Sequence, residues 1–340
     1  MLNKVKQNSF LMAWIFIHCF FVLLPFITHP TFILLQFLIV AMPLFVMLNS
    51  FFLLLYLYKK QFLQAFVYFF VLLISLKLSG FAFTFTQSKK ADFSAISYNV
   101  NQFGQQNSQA YAILDFLKKE KADFVFLQEF GLQFQWKKRD SIATLAATKM
   151  NKEYWHFAVD EHNIYGLGFF SNFPIIHSEI LFLPTSKMNG CVYYEVAVNS
   201  NDTLAFYHFH LDSYNIAKCW NERSSFIDFL QAWGFNSKQS YLLKKEQLSK
   251  ITVHASNKKH RIIFCGDANI LPHTSLYKQM QDLGFDSFAE KGLGFGATFY
   301  SIFPLRVDYF IVNDNSKLQY IQVLQSNNSD HYPLRLGFDW

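Results

Sequence analysis

The chain has 340 residues, of which 52% are hydrophobic, 19% aromatic and only 16% charged. Charged residues make up about a quarter of an ordinary soluble domain, so part of this chain is built for a medium other than water, and disorder, collagen and coiled coil are excluded. The formal charge of +6 is local: five of the 30 Lys+Arg (Lys4, Lys6, Lys59, Lys60 and Lys77) precede Lys89, leaving 25 against 24 Asp+Glu, too even a balance for the phosphate-binding field of a tight DNA binder.

Taken in chain order, residues 7–58 carry no formal charge. Thr28-His29-Pro30-Thr31 divides this run into two stretches, about 10–27 and 32–57, each near or above the ~20 apolar residues that cross a bilayer. After Lys59-Lys60 a third stretch begins at Phe62 and extends toward residue 85, with Lys77 snorkelling. Tandem runs of this length argue against a core helix, and their length and lack of an A-x-A site argue against a cleaved signal peptide. The reading is a membrane anchor over 1–88, of two to three transmembrane helices, followed by a catalytic region over 89–340. Lysine pairs flank the amino terminus and the second connection, whereas the first connection has none. The positive-inside rule puts both pairs in the cytoplasm. Three spans then place the rest on the outer, periplasmic side of the cell membrane; two would reverse that, the direction in which Lys89-Lys90 pull.

Beyond residue 89, short β-like runs recur at 93–98, 124–127, 165–170, 191–198, 204–208, 261–265, 306–312 and 318–324. Between them, 110–120 sets Ile113, Leu114 and Leu117 on one helical face, and 238–254 reads as a polar amphipathic helix. Strands outnumber helices and often follow one another directly, which predicts stacked sheets with outer helices.

Polar residues cluster where these runs end: Ser97-Tyr98-Asn99-Val100-Asn101, Leu127-Gln128-Glu129, His208-Phe209-His210-Leu211, Gly266-Asp267-Ala268-Asn269, Arg306-Val307-Asp308-Tyr309 and Ser329-Asp330-His331-Tyr332-Pro333. Carboxylates with an amide oxygen suit a hard cation, Mg²⁺ or Mn²⁺, and histidines beside it suit proton transfer and charge stabilisation at phosphorus. Singly each motif is a common turn. Their force is in the ordered set.

That set resembles the endonuclease/exonuclease/phosphatase superfamily, in particular its bacterial membrane-tethered members. The stretches from Tyr165 to Ile175, Gly284-Phe285-Asp286-Ser287-Phe288 and Gly292 to Phe299 resemble the same subgroup. The resemblance implies a deoxyribonuclease I-like α/β fold: a four-layer sandwich of two stacked mixed β-sheets flanked by helices. It implies that Glu129, Asn99 and Asp330 belong to the metal site. Asp267 would orient or deprotonate the attacking water, Asn269 would hold a phosphate oxygen, and His331 would contact the scissile phosphate. Asp308 would orient an active-site histidine, and His210 would stabilise or protonate the leaving oxygen. Three positions depart from the family: His208 replaces an asparagine, Ala268 a phenylalanine, and Asn101 an acidic residue of some members.

The expected function is a membrane-anchored, Mg²⁺- or Mn²⁺-dependent phosphoesterase, a nuclease by default of the family. The alternatives are a phosphodiesterase or phosphatase on lipid headgroups or small phosphoesters, and a non-catalytic membrane protein keeping the fold. The partners implied are the lipid bilayer and a phosphodiester substrate, with no obligate protein partner. Trp136, Trp155, Trp220 and Trp233 could stack on bases, but core packing or interfacial anchoring is the favoured reading. Cys191 and Cys219 could pair in an oxidising compartment.

Overall fold

The chain opens with apolar helices whose few polar side chains have found one another. In the computed structural model, which describes residues 2–84, 90–131, 139–160, 164–183, 189–214, 216, 219, 225–258, 260–300 and 304–339, helix α1 spans Leu2–Leu23. A 3-10 helix, Pro30–Ala41, runs on into α2, Met42–Tyr58, and α3 spans Phe62–Leu78. Ser9–Phe26 and Pro30–Tyr58 are long and apolar enough to cross a membrane, while α3 is shorter at 17 residues. It stops short of residue 85 because the chain turns at Gly80, whose φ of 74° favours glycine, and becomes extended as β1, Ala82–Phe83. Trp14 Nε1 donates to Asn49 Oδ1 at 2.7 Å, Asn49 Nδ2 donates to Ser75 Oγ at 2.8 Å, and His18 Nε2 lies 3.1 Å from Ser75 Oγ. A buried polar group in apolar surroundings must be partnered, and here the partnering ties α1, α2 and α3 together.

The remainder alternates strands and helices: β2 Phe93–Asn99, α4 Asn107–Glu120, β3 Phe124–Phe130, α5 Arg139–Met150, β4 Tyr154–Ala158, β5 Gly166–Ser171 and β6 Ile175–Phe182. There follow β7 Gly190–Ala197, β8 Thr203–His210, α6 Phe226–Ser256, β9 Ile262–Asp267, α7 Ser275–Gln281, β10 Phe285–Asp286 and α8 Ser287–Lys291. The last elements are β11 Leu293–Gly294, β12 Phe299–Tyr300, β13 Pro304–Leu305, β14 Asp308–Val312, β15 Leu318–Val323 and β16 Leu334–Phe338. Two six-stranded mixed sheets result, with orders β15-β16-β2-β3-β5-β4 and β10-β14-β9-β8-β7-β6. The stacked-sheet architecture expected from the sequence is the one found.

Strand periodicity explains the stacking, since alternate side chains point to opposite faces. Phe124 and Phe126 of β3 meet Val192, Tyr194, Phe206, Ile263 and Phe310 between the sheets. The intervening Val125 and Leu127 face outward onto Ile113, Leu114 and Leu117 of α4 and Ile142 and Ala146 of α5. On the other side Tyr207, Phe264 and Ile311 face Tyr241, Leu248 and Ile251 of α6 and Met280 of α7. The layers are therefore helix, sheet, sheet, helix. Trp155, one of the candidate stacking aromatics, lies on β4 and packs against this outer core; Trp136 and Trp220, like Lys89, lie outside the described residues. The cysteines are free thiols, Cys191 and Cys219 included.

The apolar helices are bolted to this body. Ile33 is buried in the core of the second sheet beside α6 and α7. Gln36 Nε2 donates to Ser275 Oγ at 2.8 Å, Ser275 N donates to Gln36 Oε1 at 3.0 Å, and Tyr241 Oη donates to the Thr28 carbonyl at 3.0 Å. Strand β1 pairs with β11. Phe21, Leu24, Met42 and Leu78 form a buried cluster with Leu271 and Val307 of the body.

Candidate active site

The inward-facing rows of the two sheets are apolar for most of their length and turn polar together at one end. In β2 the row reads Ala95, Ser97, Asn99; in β3, Phe124, Phe126, Gln128; in β8, Leu204, Phe206, His208, His210; in β9, Ile263, Cys265, Asp267; in β14, Val312, Phe310, Asp308. All of these residues are buried. Register aligns the polar ends: His210 pairs with Asp267 in the parallel β8–β9 ladder, and Asp308 pairs with Asp267 in the antiparallel β9–β14 ladder. Gly266 makes that alignment sterically feasible. Its φ is 141°, and a Cβ there would stand 1.8 Å from the Phe209 carbonyl oxygen, so the GDxN motif needs glycine at this place.

Asp267 Oδ2 is the focus. Asn99 Nδ2 donates to it at 3.0 Å, with His210 Nε2 at 3.6 Å and His331 Nε2 at 3.7 Å. Its other oxygen, Oδ1, accepts from the Asn269 backbone N–H at 2.9 Å. Glu129 arrives from β3 through a bulge, where the ladder to β5 shifts register between Leu127 and Phe130. Its φ of 50° is a left-handed conformation that costs a non-glycine residue on the order of 1–3 kcal/mol. That turn brings Glu129 Oε1 to 3.3 Å from Asn99 Nδ2 and 3.8 Å from His210 Nε2. Asn269 is also left-handed, at φ 50°, and its side-chain amide donates to the Leu211 carbonyl at 3.2 Å.

His331 Nδ1 donates to Asp308 Oδ2 at 2.9 Å, both groups being buried. Burial alone would strip the imidazole of its proton, but the Asp308 and Asp267 carboxylates outweigh that and hold its pKa up at about 10. Burial pushes the Asp308 carboxyl up in turn, with the His331 imidazolium pulling it back. The structure thus sets a hydrogen-bonded His331–Asp308 pair beside Asp267. Thr298, from the Gly292–Phe299 stretch, fixes the turn that carries Asp308: its Oγ1 accepts from Val307 N at 3.2 Å and Asp308 N at 3.1 Å.

Seven of the eight residues read from the sequence, Asn99, Glu129, His210, Asp267, Asn269, Asp308 and His331, surround this point. Asp330 stands at its rim. It is exposed, and its Oδ1 accepts from Ser329 Oγ at 3.2 Å, the same hydroxyl that reaches the Asn99 carbonyl at 2.8 Å. Sequence reading missed Gln102, whose Nε2 donates to Glu129 Oε2 at 3.2 Å, and Lys244. The latter is fully buried, donates to the Asn269 carbonyl at 2.6 Å and lies 3.2 Å from the Tyr214 ring centroid. A lone lysine in an amphipathic helix carries no signal of burial. Nor did the departure at His208 announce its role: Gln128 Nε2 donates to His208 Nε2 at 2.7 Å and also reaches Ser97 Oγ at 3.1 Å. Burial, then the neighbouring His210, push the His208 pKa down to about 3, so it is a neutral acceptor. Arg306, of the RxDY motif, serves structure. It makes a buried 2.6 Å ion pair with Asp286, of the Gly284–Phe288 stretch.

The donor set fits a hard divalent cation. Glu129 Oε1 and Asp267 Oδ2 converge on one amide, so two carboxylates share a single neutral donor. Asp267, Asp308 and His331 also place ligand atoms within 4.8 Å of one another. There, however, the imidazole's Nδ1 is already engaged by Asp308, and a hard cation prefers oxygen. The Glu129–Asn99 side is the better seat.

Residues 96–331 match the family model described as Endonuclease/Exonuclease/phosphatase family. None of the curated proteins compared with the chain matches it. Solved structures do. An endonuclease/exonuclease/phosphatase family protein from Leptotrichia buccalis has 15% identity and a TM-score of 0.53, covering 73% of this chain and 100% of that one. The human Nocturnin catalytic domain with bound sulfate has 15% identity and a TM-score of 0.52, over 74% and 95% of the two chains. ANGEL2, a 2',3'-cyclic phosphatase in complex with adenosine-2',3'-vanadate, has 16% identity and a TM-score of 0.50, over 74% and 97%. At such identities the likeness is one of fold.

Proposed function

This chain belongs to the endonuclease/exonuclease/phosphatase family, whose members are hydrolytic phosphoesterases, and we propose that it is a membrane-anchored, Mg²⁺- or Mn²⁺-dependent phosphodiesterase. The observation that carries this reading is the convergence on Asp267 Oδ2 of Asn99, His210 and His331. A carboxylate so surrounded is a base for one water molecule, and positioned proton transfer of this kind contributes about 10²–10⁴ in rate. His331, held cationic by Asp308, is a fixed positive charge for a phosphoryl oxygen. The Asn269 amide is a second donor for that group, and its turn is braced from behind by Lys244. His210 stands across Asp267 from the Asp308 pair and is assigned to the leaving oxygen. Glu129 and Asn99, with Asp330 from the rim, would hold the cation, which when bound supplies charge neutralisation at the phosphoryl oxygens.

Three membrane spans, with the body on the outer side, are the favoured topology. The body touches Thr28, between α1 and α2, and also Ala82, just after α3. Lys59-Lys60 lie at the other end of α2, so the chain crosses away from the body and returns to it.

The test is hydrolysis of bis(p-nitrophenyl) phosphate and nicking of plasmid by the full chain in detergent, with Mg²⁺, with EDTA, and for Asp267→Asn. Metal-stimulated turnover lost in both controls supports the reading, and its absence from a folded sample removes it. A second reading, hydrolysis of lipid-headgroup phosphodiesters, is favoured by one observation. Leu271, two residues beyond Asn269, and Val307, beside Asp308, are among the body residues buried against the anchor. Headgroup release from vesicles, compared with plasmid nicking, separates the two.

A further inference from the structure

Helix α6 is longer than the sheet it covers. The stripe that packs on the second sheet comprises Ser237, Tyr241, Lys244, Leu248 and Ile251, all buried, at the three- and four-residue spacing of one helical face. Continued toward the amino terminus at the same spacing, the stripe meets Trp233, Leu230 and Phe226. The apolar character persists, but the sheet does not: Phe226 is 63% exposed and Leu230 39%. Ile227, at 66%, and Phe235, at 63%, carry the apolar surface round to the other sides of the helix. From 226 to 237 the only formal charge is Asp228. The overhang is about three turns, roughly 16 Å of helix. Soluble surfaces seldom leave so many large apolar side chains together in water.

What lies beside the overhang identifies its surroundings. Trp233 packs on Phe37 of the 3-10 helix with ring centroids 5.1 Å apart, and Phe229 stacks on Trp233 at 5.7 Å. Phe32 and Leu38 of that same 3-10 helix are themselves exposed, and Pro30–Tyr58 is one of the two helices apolar enough to cross a membrane. The uncovered face of α6 is thus continuous with the uncovered face of the anchor. Lys238, one turn beyond Phe235 and exposed, is the first residue of the helix able to reach headgroups as a cation. We infer that the amino-terminal part of α6, with Pro30–Ala41, is seated in the outer boundary of the bilayer, a monotopic contact added to the spanning helices. Lys244, which holds the Asn269 turn, lies nine residues beyond Phe235, roughly 14 Å farther along the same helix. The inference rests on the proposed anchor.

The test keeps the two apart. The full chain, with Cys19→Ser so that its exposed native thiol is gone, is spin-labelled singly at Ile227→Cys, Phe235→Cys, Glu246→Cys, Phe16→Cys or Leu54→Cys. Each is reconstituted in phosphatidylcholine–phosphatidylglycerol vesicles, and collision with oxygen is compared with collision with a soluble nickel chelate. Labels at 227 and 235 are expected to show an oxygen-to-nickel ratio severalfold above that at 246 and close to those at 16 and 54. Nickel-accessible labels at 227 and 235 beside lipid-exposed labels at 16 and 54 overturn the inference and leave the anchor standing. Labels at 227 and 235 shielded from both reagents overturn it in favour of a protein partner such as a second copy. Nickel access at 16 and 54 removes the anchor itself.

Discussion

Asp267→Asn keeps the size of the side chain, but it removes the charge and turns one of two accepting oxygens, those facing Asn99 Nδ2 and Asn269 N, into a donor. Asp267→Asn is expected to lower kcat by about 10²–10⁴ with KM nearly unchanged and the circular dichroism intact; a loss below tenfold would move the base elsewhere. Asp308→Asn acts at one remove. His331 keeps a hydrogen-bond partner but loses the charge that holds its proton, so turnover at neutral pH is expected to fall by a similar order, and bound Mg²⁺, measured by calorimetry, to stay within a factor of two or so of the parent. Most of this was legible in the sequence because each motif ends an apolar β run, and a strand's parity decides which residue reaches the space between the sheets. Gln102 and Lys244 were not legible. Their partners are a bulged glutamate and a backbone carbonyl, and neither leaves a trace in spacing.

At the level of elements, the buried polar step in the inter-sheet layer sets a pH limit on the fold. His208 in the folded chain is held near 3, against an ordinary 6.5. Its neutral form is favoured by folding, so its contribution is complete above pH 6.5 and drains away as pH falls from 6.5 toward 3, by up to about 1.4 kcal/mol per pH unit. Urea unfolding at pH 7 and pH 5 is expected to show that slope, and His208→Asn, whose amide can still accept from Gln128, to flatten it. An unchanged slope in the variant would assign the acid sensitivity to other groups. Gly266→Ala is expected to cost at least about 1–3 kcal/mol from backbone strain alone, because the methyl group collides with β8. The strands foreseen at 93–98, 124–127 and 204–208 extend further in the structure, as far as their polar ends. Strands β4, β6 and β16 were not foreseen, for physical reasons. β6 is an edge strand with mostly exposed side chains, and β16 is five residues interrupted by Arg335 and Gly337. The amino half of α6 was missed because apolar residues on nearly every side give no helical period.

Over the whole molecule, composition separates an apolar beginning from a polar remainder, and the structure joins them. A fragment starting near residue 90 would lose Ile33 from its core and leave Ser275 without Gln36. Its thermal midpoint is expected to lie below that of the full chain in detergent. Ile33→Ala in the full chain isolates the effect: a change in the apolar segment should destabilise the body by about 2–5 kcal/mol, read as faster hydrogen exchange in β8 and β9. Exchange unchanged in those strands would mean that anchor and body fold independently. The border near Lys89, so sharp in composition, is invisible to a sequence reading as an interface, because packing between distant segments has no local signature.

The Gln36–Ser275 bond joins residues 239 positions apart, and this has a consequence for biosynthesis. At about 5–20 residues per second, on the order of 10–50 s separate the emergence of the two halves. Ile33 waits longer, since Tyr309 comes later still, and Ala82 somewhat less, for Gly294. If the proposed anchor inserts as it is made, its helices hold an unoccupied docking face until the carboxyl-terminal third is translated. A nascent chain arrested before Ser275 would leave the Gln36 and Ile33 face of those apolar helices without its partner.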